Sequence, residues 1–288
     1  MSSPSPANGA SNMLVTEVVE PRAVRGVTFG ALTALFWLTL QQHCRARRLV
    51  VLSLLFSVPT ILAVLIRVFA DQPVNLAQEG ALIYMLIPSA LAPLAALLYA
   101  CGMIGDEIED QTLTYLLVRP LPKPALYLVK LLATLVVTIG LTAIFTITAY
   151  AALYVGTPGF WEQHIPVVAL QTVCLLALTV VAYCSIFGFL SLVIRHALLL
   201  GIVYIILLEG LMGNIDFVAR RVTVTFYFKV LEERWLHRFP RRFHFDMEKV
   251  PAASECVWIL VIVSLVTTGL AALLMVNREF RMKTPEGR

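Results

Sequence analysis

Four carboxylates lie close together in an otherwise apolar chain: Asp106, Glu107, Glu109 and Asp110. Clustered carboxylates could bind Mg²⁺ and, through it, a lipid headgroup, or they could meet basic groups on a protein partner. These four are crowded together and lack the spaced Asp and Gly framework expected of a membrane phosphotransferase. The pattern therefore favours a docking surface over a catalytic or metal site.

The residues that follow predict a short amphipathic helix. Leu113, Leu116 and Leu117 recur at i, i+3 and i+4, which places them on one apolar face. Acids at the start and an arginine at the end suit the helix macrodipole, and three prolines then stop the helix. We expect this helix over about 106–118, at a membrane surface between two spans, although an ordinary solvated loop is the alternative. We call residues 105–130 the acidic segment.

The composition indicates an integral membrane protein. Of 288 residues, 59% are hydrophobic and only 14% are charged, and the mean hydropathy is +0.84. Soluble domains carry about 25% charged residues. The five cysteines include no Cys-x-x-Cys pair and are odd in number, so they predict neither a disulfide framework nor a zinc site. The histidines are scattered, and no pattern predicts catalytic residues.

Apolar runs predict an all-α protein with six transmembrane helices, over about 49–69, 81–104, 125–156, 165–194, 197–213 and 255–276. Residues 1–26 are expected to form a partly disordered tail without a signal peptide, and 27–288 a single transmembrane domain. The apolar part of residues 27–48 is short for a span. It predicts an interfacial helix whose basic end faces anionic headgroups, with a true span over 24–40 as the alternative.

The distribution of Lys and Arg predicts a multi-pass protein of the cell membrane with both termini and the acidic segment in the cytoplasm. The loop 214–254 then lies outside, although it is rich in basic residues. Its interleaved aromatic and basic side chains could stack on nucleic acid. Beside a membrane, however, an interfacial cap is favoured, with aromatics at headgroup depth and arginines on lipid phosphates, and no nucleic acid is expected as a partner.

Apart from Glu255, the first residue of the last predicted span, Glu209 is the one acidic residue that falls inside a predicted span. A carboxylate at the centre of a membrane costs roughly 2.5–3.5 kcal/mol, so such a residue is a candidate for function. Gly210, Gly213 and Asn214 follow closely and indicate that the helix breaks there. A helix-break anchor is therefore favoured over a transport-site acid.

The acidic segment resembles the first cytoplasmic loop of the ABC-2 type membrane subunits of ATP-binding-cassette exporters. That loop reads acid-x-acid-x-Gly-Thr-Leu-x-x-Leu-Leu-x-x-Pro, with a basic residue entering the next span. The departure from it is Gln111, which stands where glycine is usual, although glutamine is the better helix former. The matching positions here are Glu107, Glu109, Thr112, Leu113, Leu116, Leu117, Pro120 and Lys130.

The resemblance implies a permease subunit that works with a separate ATPase subunit, as a homodimer or as a heterodimer with a similar chain, among membrane lipids. The chain has no Gly-x-x-x-x-Gly-Lys-Ser/Thr motif, so ATP and Mg²⁺ are expected on the partner. A stand-alone secondary carrier, which would need acids deep in its spans, and a membrane-embedded enzyme are the alternatives. The loop would dock on the ATPase as a coupling helix through Asp106, Glu107, Glu109, Asp110, Thr112, Leu113, Leu116 and Leu117.

Overall fold

The computed structural model describes residues 29–45, 47–69, 79–109, 122–155, 164–194, 196–211, 221–236 and 250–277, without the side chains of 47, 104–109 and 211. Within these ranges the chain is helical and contains no strand, which confirms the predicted all-α class. Residues 1–26, predicted to form a tail, lie outside them.

The described residues form a series of helices. Two of them contain π-helical stretches, in which the backbone is wound more widely than in an α-helix. In chain order they are α1 Phe29–Arg45, α2 Arg47–Phe69, the π-helical segment Gly80–Leu91 continued by α3 Ala92–Glu109, α4 Lys123–Tyr154, α5 Ile165–Val193, α6 Ala197–Tyr204 continued by the π-helical segment Ile205–Leu211, α7 Val224–Leu236 and α8 Ala253–Asn277.

Five of these helices are long and apolar enough to cross a membrane: Arg48–Phe69, Gly80–Met103, Lys123–Tyr154, Ile165–Val193 and Ala253–Asn277. The run predicted as a span over 197–213 corresponds to a shorter apolar helix, Ala197–Gly210. The structure therefore supports a multi-pass membrane protein, and the sixth span stays a prediction.

The centre of the bundle is α5, which packs against α3, α4 and α8. On the outside of α4 lie α1 and α2, while α7 packs between α5 and α8. Large apolar side chains are exposed along most of α2 and α8, for example Leu54 and Leu265. Exposed apolar faces of this length suit contact with lipid tails, which offer no penalty to hydrocarbon surface.

The two ends of the bundle are fixed by the span Gly80–Met103. At one end Met103 meets Lys130 of α4, and at the other Glu79 meets Tyr154 of the same helix. We call them the Met103 end, which carries the acidic segment, and the Glu79 end. With 32 residues, α4 is about 48 Å long at 1.5 Å per residue. A hydrocarbon core of about 30 Å cannot cover that length, so α4 extends beyond it.

Gly201 of α6 allows a close approach to α3. A Cβ atom at this position would stand 2.1 Å from Cδ1 of Leu97, a side chain that is fully buried. By contrast, a Cβ atom at Gly269 of α8 would meet nothing within 4 Å. The contact between α6 and α3 therefore depends on the missing side chain at Gly201.

We expect Gly201→Ala to destabilise the protein by about 1–3 kcal/mol, the usual cost of overpacking a core. The same substitution in a Leu97→Ala background should instead be neutral or stabilising, because the clash is gone and alanine is the better helix former. Thermal unfolding of the four proteins in detergent gives the coupling between the two positions. Gly269→Ala is the control and should not destabilise; equal effects of Gly201→Ala in both backgrounds would contradict the packing argument.

Candidate functional site

The carboxylates of the acidic segment lie where the apolar span ends. The span reaches Met103, but the α3 backbone stays helical to Glu109, so Asp106, Glu107 and Glu109 occupy its last turns. Their side chains are not described. The other residues predicted for docking lie outside the described part of the chain: Asp110, Thr112, Leu113, Leu116 and Leu117. The helix predicted over 106–118 is thus seen only in its first residues, as a continuation of α3.

Three helices meet at Met103. The ammonium group of Lys130, a residue only 1% exposed, donates to the Met103 carbonyl oxygen at 3.1 Å. Thr134, one turn further along α4, donates to the Met103 sulfur at 3.8 Å. The Nε2 atom of His43 in α1 lies 2.9 Å from the Thr134 hydroxyl oxygen, and the His43 ring packs edge-on against Tyr99 of α3. We call these contacts the Met103 junction.

The proton roles at the junction follow from the single hydroxyl proton of Thr134. If that proton points to the Met103 sulfur, the hydroxyl oxygen can only accept from His43, so His43 carries its proton on Nε2. One sulfur, one hydroxyl and one imidazole then form a directed chain from α1 through α4 to α3. The junction is therefore a specific polar contact in an apolar bundle.

A polar stripe continues from the junction along the buried side of α4. Its members recur every four residues, and the middle threonines donate to the carbonyl of the preceding member at 2.7–2.9 Å. Because those protons are used within the helix, only hydroxyl lone pairs remain for the neighbouring helices. The stripe consists of Lys130, Thr134, Thr138, Thr142, Thr146, Tyr150 and Tyr154.

At the Glu79 end the stripe joins a buried group of hydroxyls. Tyr84 and Tyr150 are hydrogen-bonded to each other, and Thr172 of α5 lies 3.1 Å and 3.0 Å from their two hydroxyls. Tyr154 donates to the carboxylate of Glu79, which is fully buried at the start of the π-helical segment Gly80–Leu91. These contacts tie α4, α5 and the π-helical segment together.

Glu209 caps the N-terminus of α7. Its two carboxylate oxygens accept from the backbone N–H groups of Val224 and Thr225, each at 3.0 Å, and Tyr204 donates to it at 3.2 Å. Only 1% of Glu209 is exposed. A carboxylate at a helix N-terminus satisfies free N–H groups and favours the helix dipole. Tyr183 of α5 lies 3.0 Å from the Thr225 hydroxyl and holds the same turn from the other side.

The loop expected to form an interfacial cap differs from that expectation. Residues 224–236 form α7, which is buried against α5 and α8, with Phe226 and Phe228 in the core. Only Trp235 among its aromatic side chains is exposed. The cap provided by Glu209 and the apolar residues on both sides of α7 allow it to enter the bundle. Residues 212–220 and 237–249 lie outside the described residues.

Sequence reasoning missed several buried charges. Glu79, Lys229, Glu232 and Glu233 are buried, although the sequence places them in loops where charged side chains normally face water. The helix α7 also contacts the π-helical segment Gly80–Leu91, which carries Tyr84. The polar stripe was missed as well, although its regular spacing in α4 is visible in the sequence.

A comparison with protein families supplies the identity. The model of the ABC-2 family transporter proteins matches residues 33–278, which is most of the chain. No individually curated protein matches it. The match spans all of the described helices except the first four residues of α1. Together with five helices able to cross a membrane, it shows that this chain is a multi-pass membrane protein of the ABC-2 transporter family.

Proposed function

We propose that this chain is the membrane-spanning permease subunit of an exporter driven by a separate ATP-binding-cassette ATPase. Family membership supports a transport subunit rather than an enzyme. The observation that carries the proposal further is the continuation of α3 past Met103, which extends three carboxylates beyond the apolar span. Acidic residues in that position would meet a basic surface on a partner.

The ATPase would supply the chemistry. The chain contains no P-loop motif, so ATP and Mg²⁺ would bind on the partner. ATP binding would close the ATPase dimer, and the acidic segment, resting on it, would transmit the displacement to α3 and α4. The permease contributes docking, transmission and the pathway, and needs no catalytic residue of its own.

The assembly would contain two permease subunits, identical or similar, above two ATPase subunits. Both termini and the acidic segment would face the cytoplasm, as the positive-inside rule indicates, in the cell membrane. The exposed apolar faces of α2 and α8 would contact lipids or the second permease subunit.

Glu209 would serve as an anchor for α7 rather than as a transport-site acid. Both of its oxygens already accept backbone N–H groups, so little capacity is left for a travelling ion. This geometry speaks against a stand-alone carrier built on Glu209. It supports a buried α7 as a fixed part of the permease.

The test is purification of the tagged protein from its native membranes in mild detergent, followed by identification of the proteins that accompany it. A P-loop ATPase in roughly equal amount is the expected result. A stable preparation without any ATPase would overturn the proposal.

A further inference from the structure

The two helices that border the acidic segment are joined directly at its base. Lys130 lies two turns after the start of α4, and Met103 lies just before the acidic turns of α3. The hydrogen bond between them therefore joins the two helices close to the residues that connect them. When the residues that connect α3 and α4 are displaced, the displacement acts on both helices. Whether they then move together or spread apart depends on what holds them at this level.

The Lys130 bond is suited to hold them together. Lys130 donates within a buried site, where little water competes for the Met103 carbonyl oxygen. The direction of this hydrogen bond is fixed, because Met103 presents the carbonyl from a helix backbone rather than from a mobile side chain. Thr134 donates to the Met103 sulfur, so α4 contacts Met103 through two residues that lie one turn apart.

The third helix joins at the same place. His43 of α1 contacts Thr134 of α4 and packs on Tyr99, which lies one turn before Met103 on α3. The junction thus links α1, α3 and α4 through a small set of side chains at one level of the bundle. The other buried residues of α1 are Leu35 and Thr39, two turns and one turn before His43.

We propose that Lys130 is a positioning residue that makes α3 and α4 move as one rigid body when the acidic segment is displaced, with α1 carried along through its contact between His43 and Thr134. Without Lys130, displacement of the segment is absorbed by spreading of α3 from α4 and does not reach the Glu79 end. The inference rests on the proposed function, because it assumes that an ATPase displaces the segment. It assigns a role to a buried residue near the start of α4.

The experiment uses the full chain with its co-purified ATPase in lipid nanodiscs. The exposed cysteines are first removed with Cys44→Ala and Cys174→Ala; the other three are buried. An environment-sensitive fluorophore is then attached to Pro122→Cys at the Met103 end or to Val155→Cys at the Glu79 end, both exposed positions. The change in fluorescence on adding ATP and vanadate is measured at each site.

In the parent protein both probes should respond. In Lys130→Met the Pro122 probe should still respond, while the response at Val155 falls to a tenth or less. Lys130→Arg, which keeps a charged donor, should restore at least half of it. Leu132→Met places the same methionine on the exposed side of α4 and should change neither response. Monodisperse elution of each variant and an unchanged amount of co-purified ATPase exclude misfolding as the cause.

The possible failures are distinguishable. If the Val155 response survives in Lys130→Met while ATPase remains bound, Lys130 does not transmit the displacement and the inference is wrong. If Lys130→Arg fails to restore the response although Lys130→Met abolishes it, the role assigned to the donor is also wrong. If no ATPase co-purifies and nucleotide changes neither probe even in the parent protein, the proposed function itself has failed.

Discussion

Glu209→Ala is expected to destabilise the protein by about 3–5 kcal/mol, since several buried donors lose their acceptor at once and each costs roughly 1–3 kcal/mol when unsatisfied. The donors are the N–H groups of Val224 and Thr225 and the hydroxyl of Tyr204. The first turn of α7 would lose its cap and the favourable charge at its N-terminus. The measurement is the apparent Tm of the detergent-solubilised protein, followed by size-exclusion fluorescence.

A second glutamate on the same chain provides a matched control. Glu255 accepts from the Ala252 N–H group at the start of α8, but it is exposed to solvent. Glu255→Ala should therefore cost no more than about 1 kcal/mol, as is usual for an exposed cap. Glu209→Gln keeps one carbonyl acceptor and should fall between the two. Equal Tm values for Glu209→Ala and Glu255→Ala would show that the buried cap contributes no more than an exposed one.

Reversing the charge of the acidic segment should separate ATP hydrolysis from transport. If this segment docks on a basic partner surface, Glu107→Lys with Glu109→Lys would turn two attractive contacts into repulsive ones, and like charges facing each other across an interface cost several kcal/mol. Loss of about 3 kcal/mol or more corresponds to affinity reduced by about 100-fold or more. The amount of co-purified ATPase should fall accordingly, while the permease still inserts because these residues follow the span.

The neutral pair Glu107→Gln with Glu109→Gln distinguishes loss of attraction from gain of repulsion. It should weaken ATPase binding much less than the reversed pair does. Thermal unfolding should be close to the parent in both variants, because neither residue belongs to the apolar span. Full ATPase recovery and intact coupled activity in the reversed pair would refute the assignment of this segment as the docking site.

The sequence predicts the apolar helices well because each is a local pattern. Long apolar runs, interrupted by short polar connections, leave few other solutions in a membrane. The prediction extends less far where burial depends on distant residues. The charged residues of α7 resemble a water-facing helix in the sequence. The helix enters the bundle because Glu209, which lies fifteen residues before Val224 and sixteen before Thr225, supplies its cap.

The candidate site shows the same division. Motif spacing places the acidic segment between two apolar runs, and the structure shows the α3 backbone reaching its first three acids, Asp106, Glu107 and Glu109. The junction that supports it is not visible from spacing, because His43, Tyr99, Met103 and Lys130 come from three separate helices. Pairing across helices is set by tertiary packing, which one sequence does not encode locally.

The regular spacing of the polar stripe has a consequence for how α4 is held in register. A step of four residues advances an α-helix by about 6 Å and turns it about 40° beyond a full turn. The stripe therefore follows a slowly turning path around the α4 axis. Its four threonines are chemically alike. If α4 slipped by one step of four residues, each middle threonine would be replaced by another threonine. Within the stripe, such a slip is opposed only where the side chains differ. Among the stripe residues, Lys130 on Met103 and Tyr150 and Tyr154 at the opposite end therefore define the register of α4, because a threonine could take the place of a neighbouring threonine.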